Sequence, residues 1–161
     1  MHEEELSKKK FSLKAMYYNR FLGIRYLLAT LFFTNMYWLV LLGYYGKNIL
    51  LPLIVIIFLS MAIIENIKVY SNSEILMRLT KFSLYVQIIV NFLLIGITYT
   101  SKFSYFFFFM TQSESTKIFI ILILLLGSLL SGICIRKISL IRNNNDKQYL
   151  RILEYKKATG L

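Results

Sequence analysis

Four stretches of apolar residues, about 26–45, 49–69, 82–100 and 118–135, are each close to twenty residues long and almost free of charge. Helices rise about 1.5 Å per residue, so roughly 20 residues cover a hydrocarbon core of about 30 Å, and a helix satisfies its own backbone hydrogen bonds there. This pooling of apolar residues points to an all-α polytopic membrane protein, a four-transmembrane-helix bundle with short amphipathic cytoplasmic ends. A soluble domain spreads its apolar residues in amphipathic patterns instead. With 57% hydrophobic residues the chain is too apolar to be disordered, and Cys134, the single cysteine, excludes a disulfide framework. No internal period suggests a repeat array.

The second stretch meets Glu65 early and reaches the interface by continuing as helix through Ile67 and Val69, with Lys68 extended toward the headgroups. Gly46 marks a break before it, Asn48 is a plausible N-cap, and Pro52 suits the first turn. The aromatic run Tyr105 to Phe109, preceded by Phe103, is too short to cross. It reads as an interfacial belt or a re-entrant segment between the third and fourth spans, or alternatively as a partner-binding loop.

Basic residues fix an expected orientation. Of 19 Lys and Arg, sixteen fall in the N-terminal segment, the second loop and the C-terminal tail, leaving only Lys47, Lys102 and Lys117 for the other side. The positive-inside rule then puts both termini in the cytoplasm of a multi-pass plasma-membrane protein. The first span reads as an uncleaved anchor, since Gly43 to Gly46 offers bulky tyrosines where a signal peptidase needs small residues. A net charge of +11 would suggest nucleic acid in a soluble protein, but here anionic cytoplasmic lipids are the expected partner and no nucleic acid is. Residues 6–25 and 147–157 read as amphipathic cytoplasmic segments, the first turning into the first span and the second lying on the membrane or capping the bundle.

Specificity is expected from the few polar residues at depth. Asn35 lies mid-way along the first span, and Asn91 and Gln87 share a face of the third at matching depth, so these amides should hydrogen-bond across helices. Gly127, Ser128, Ser131 and Gly132 repeat small residues at i and i+4, a helix-packing face for use inside the bundle or against a partner. Glu65 is expected to form an interfacial ion pair with Arg25, Arg78 or Lys81.

Catalytic chemistry lacks material. His2 is the only histidine, no Gly-rich loop precedes a Lys-Ser/Thr pair, and no serine has a visible base at matching depth. The expectation is therefore no enzyme, no metal and no cofactor.

Tyr18-Asn19-Arg20-Phe21-Leu22, then Arg25-Tyr26, Phe32-Phe33, Asn35 and Tyr37-Trp38, together with Val86-Gln87, Val90-Asn91 and the Asn145 to Lys147 tail, carry a resemblance over most of the chain. It resembles a family of small uncharacterised four-span membrane proteins of the Firmicutes, some labelled as a cellobiose phosphotransferase IIA subunit. The resemblance implies a bacterial plasma membrane. It does not bring the IIA activity with it, because that needs a phosphorylatable histidine on a cytoplasmic domain and only His2 is present. What remains is a non-enzymatic accessory, regulatory or immunity-type protein acting on a membrane-protein partner. The alternative is a subunit of a small transporter or channel, a homo-oligomer in which Asn35, Gln87 and Asn91 line a wet path.

Overall fold

The computed structural model describes residues 2–71 and 77–159, with side chains over 4–68 and 77–159. The described chain is all-α: α1 (His2–Tyr44), α2 (Leu50–Ser71), α3 (Arg78–Thr98), the one-turn α4 (Phe103–Phe106), α5 (Glu114–Arg142) and α6 (Lys147–Thr159). Among the described residues four helices, α1, α2, α3 and α5, are long and apolar enough to cross a membrane. They form a closed ring in which α1 packs on α2, α2 on α3, α3 on α5 and α5 back on α1.

Local chemistry explains the boundaries. Gly46 ends α1 at a positive φ of 61°, backbone that a side chain would strain. Asn48 Oδ1 then accepts from Leu50 N at 2.9 Å, satisfying one of the first free N–H groups of α2. Ser113 caps α5, its hydroxyl accepting from Thr116 N at 3.3 Å. α5 extends to Arg142 because Arg136 and Lys137 continue the helix beyond its apolar part.

Three segments left with alternatives in the sequence take one form each. The 6–25 segment runs into the first apolar stretch without a turn: α1 is one unbroken helix from His2 to Tyr44, and Gly23 within it does not end the helix, since a single interior glycine costs only about 1 kcal/mol. The 147–157 segment becomes α6, which packs on α1 with Ile152 buried. Arg20 and Lys156 lie over the Tyr149 and Tyr17 rings there, at 5.0 and 5.8 Å, so α6 caps the bundle. The aromatic run folds inward, with Phe103 and Phe107 buried beside Leu94 and Ile120, and Phe107 stacks on Trp38 at a ring separation of 6.3 Å.

The core has two apolar blocks. The one nearer the termini holds Ile24, Leu28, Leu59, Leu84 and Ile138, and the other gathers around Phe103, Phe107 and Trp38. The polar layer between them is where the site lies.

Candidate functional site

Asn35 on α1 and Gln87 on α3 face each other across the ring, on helices that are not ring neighbours. Asn35 Nδ2 donates to the Leu31 carbonyl at 2.8 Å and to Gln87 Oε1 at 3.0 Å. Gln87 Nε2 donates to Asn91 Oδ1 at 2.9 Å, and Asn91 Nδ2 donates to the Leu124 carbonyl and to Ser128 Oγ, both at 3.3 Å. The structure thus brings together Asn35, Gln87, Asn91 and Ser128 in one chain joining three helices. Both ends of the chain rest on backbone carbonyls, which only accept, so every amide orientation is determined. Bonds of this kind contribute about 0.6 kcal/mol each on average. Their larger effect is on register, because sliding α1 against α3 strands buried amides in hydrocarbon.

The small-residue face of α5 divides. A Cβ on Gly127 would lie 3.1 Å from Asn91 Nδ2, so glycine there lets the amide reach α5. Ser128 and Ser131 are buried and bond back to Leu124 and Gly127 carbonyls. Gly132 faces the other way, with open space where a Cβ would stand.

Beside the amides, a cavity of about 270 Å³ opens between α1, α3, α5 and the aromatic segment. Asn35, Gln87 and Asn91 lie along its wall, and Trp38, Phe107 and Ile120 form its apolar part. Tyr37 and Ile123, 68% and 47% exposed, mark its mouth on the outer surface between α1 and α5. Toward the termini the amides are followed by the buried apolar residues Leu28, Leu59 and Leu84.

The expected ion pair of Glu65 is replaced by something else. Arg25 lies 4.3 Å over the Tyr18 ring, Arg78 is exposed at the first residue of α3, and no ion pair of Glu65 occurs among the described residues. The carboxylate instead accepts from Leu79 N (3.2 Å), Thr80 N (2.6 Å) and Thr80 Oγ1 (2.7 Å). Met77, preceding α3 at φ 47°, offers no side-chain cap, so an acid from the neighbouring helix fills the role and meets the positive end of the helix dipole.

Sequence reasoning missed the tightest polar cluster. Arg20, one of the basic residues of the N-terminal segment and part of the resemblance above, is 5% exposed. Its Nε donates to both Asp146 oxygens at 3.0 Å, and its Nη2 pairs with Asp146 and donates to the Ile141 carbonyl (2.9 Å) and Asn144 Oδ1 (3.0 Å). The Asp146 carboxylate, just before α6, is taken up by this pair. One signal was present: Arg20, Ile24, Leu28, Leu31 and Asn35 recur every three or four residues on one face of α1, and the arginine occupies the buried stripe.

Asn66 is a different case, 1% exposed with neither side-chain atom bonded among the described residues. A cavity of about 160 Å³ beside it leaves room for a branched side chain. Asn66→Leu is expected to raise stability by about 1–2 kcal/mol, since an orphaned buried amide costs that much. Detergent-driven unfolding of the two proteins would measure it, and a less stable variant would show that the amide has a partner.

Compared with protein-family models, with curated proteins and with solved structures, the chain matches none.

Proposed function

We propose that the chain is an integral plasma-membrane protein that crosses four times with both termini cytoplasmic. We take its role to be that of a non-enzymatic accessory, regulatory or immunity-type protein acting through helix–helix contacts with a membrane partner. The last described turns of α2 and the first turn of α3 lie at the same end of the bundle as α6, where Arg20 meets Asp146 and Glu65 meets Thr80. Most basic residues belong to that end, which supports a cytoplasmic assignment.

The observation that carries the partner reading is Gly132. It lies in a groove of about 370 Å³ between α3 and α5, walled by Ile88, Phe92, Leu129 and Ile133 and ended by Arg136. Unlike Gly127 it has no neighbour inside the bundle, so a transmembrane helix of another protein can bring its backbone close there. Gly132→Leu is expected to leave folding intact and to remove a stoichiometric membrane protein from a mild-detergent pull-down out of native membranes. Recovery of the same partner by the variant, or of the chain alone by the wild type, would refute the reading.

The transporter or channel alternative draws on the cavity. It requires Leu28, Leu59 and Leu84 to part, because they close the route toward the termini.

A further inference from the structure

Counting hydrogen bonds along the amide chain leaves a remainder. Asn35 Nδ2 uses both of its hydrogens, yet no donor among the described residues reaches Asn35 Oδ1, although the residue is 95% buried, being 5% exposed. Gln87 Nε2 uses one hydrogen, on Asn91 Oδ1, and keeps a second. Asn91 Nδ2 has none to spare, with bonds to Leu124 and Ser128. Because the carbonyls of Leu31 and Leu124 fix the orientation of the whole chain, the leftovers are one acceptor and one donor, on adjacent side chains that both line the cavity.

The rest of the wall is apolar apart from Thr34, Trp38 and, at the mouth, the exposed Tyr37. Trp38 and Thr34 have their donors committed to the Phe106 and Thr30 carbonyls, and the lining contains no Lys, Arg, Asp, Glu or His. The volume would hold roughly nine waters at about 30 Å³ each, but a water needs two to four polar partners and, inward of Tyr37 at the mouth, this wall serves only a single polar group. A charged headgroup at this depth would meet no counter-charge. The mouth at Tyr37 and Ile123 opens on the face that the four-span reading gives to lipid, not to water.

We infer that this cavity is a binding site for a neutral, membrane-dissolved alcohol, whose hydroxyl donates to Asn35 Oδ1 and accepts from Gln87 Nε2 while its aliphatic chain lies against Trp38, Phe107 and Ile120. A hydroxyl is donor and acceptor at once through a single atom, and unlike an amine it stays uncharged. The aromatic segment forms the roof of the site, so the inward fold of residues 103–110 and the polar layer serve one purpose.

The test uses the full chain purified in detergent and a diazirine-bearing octanol as photolabel, with adducts mapped by mass spectrometry. Labelling is expected to concentrate on cavity residues and to fall at least fivefold with excess 1-octanol but not with octane. Ile123→Trp fills the mouth without touching the amides and should lower labelling as much while unfolding at the same detergent concentration. Asn35→Leu removes the acceptor and should abolish the preference for octanol over octane. Equal competition by octane, labelling scattered over the lipid-facing surface, or unchanged labelling of Ile123→Trp would each overturn the assignment.

Discussion

Arg20→Met is expected to lower stability by about 3–5 kcal/mol, the largest effect of any single substitution considered for this chain. The methionine keeps most of the apolar stem but removes a guanidinium that bonds Asp146, Asn144 and the Ile141 carbonyl. Asp146, its side chain 12% exposed, would be left as a nearly buried carboxylate without a cation. The Ile141 carbonyl would keep the Asn144 N–H at 3.1 Å but lose its charged donor at the negative end of the helix dipole. The pair also ties α6 to α1, so its loss should free the C-terminal helix before the bundle itself unfolds. Trp38, the single tryptophan, reports on the bundle, and proteolysis reports on α6. The double variant Arg20→Met/Asp146→Leu should regain much of the loss, because it removes the stranded charge along with its partner. A single variant as stable as wild type would mean that water reaches the pair.

Glu65→Leu should cost about 2–4 kcal/mol. It strands the N–H groups of Leu79 and Thr80 together with the Thr80 hydroxyl, whose remaining contact is a long one of 3.4 Å to the Ala62 carbonyl. Thr80 is fully buried at 0% exposure, so water cannot easily take the place of the carboxylate. Glu65→Gln keeps an accepting oxygen but loses the negative charge facing the dipole, and should cost about half as much. Thr80→Val in the wild-type and Glu65→Leu backgrounds separates the hydroxyl from the backbone donors. A positive coupling energy of about 1 kcal/mol is expected. If instead Glu65→Gln were as damaging as Glu65→Leu, the charge and not the hydrogen bonding would be the important part.

These two residues also show where reading the sequence stops. Arg20 and Glu65 sit at positions where a charge next to an apolar run is ordinary, and the positive-inside pattern accounts for Arg20 without any partner. The partner of Arg20 is 126 residues away and that of Glu65 is 15 away in the next helix. Neither spacing is a helical period, so no local rule could pair them. The amides were different. Asn35 and Gln87 each interrupt a run in which an unpaired polar group is costly, and their depths could be counted from the ends of the spans, so a mutual contact was legible before any fold was known. The remainder of that contact was not legible, because which lone pair stays unused depends on where the Leu31 and Leu124 carbonyls point.

Gly127 and Gly132 make the same distinction within one helix turn and a half. Both belong to a small-residue pattern visible in the sequence, and only the rotation of α5 against α3 decides that the first admits Asn91 while the second faces outward. Sequence alone determined the number and approximate extent of the apolar helices, because hydrophobicity over about twenty residues and the demand for satisfied backbone hydrogen bonds are properties of contiguous chain. Tertiary structure decided which faces turn inward, that the aromatic segment closes one end, and that Arg20 and Glu65 lock the other. Those outcomes follow from the packing and pairing of groups distant in sequence, whose energies exist only once the helices have met.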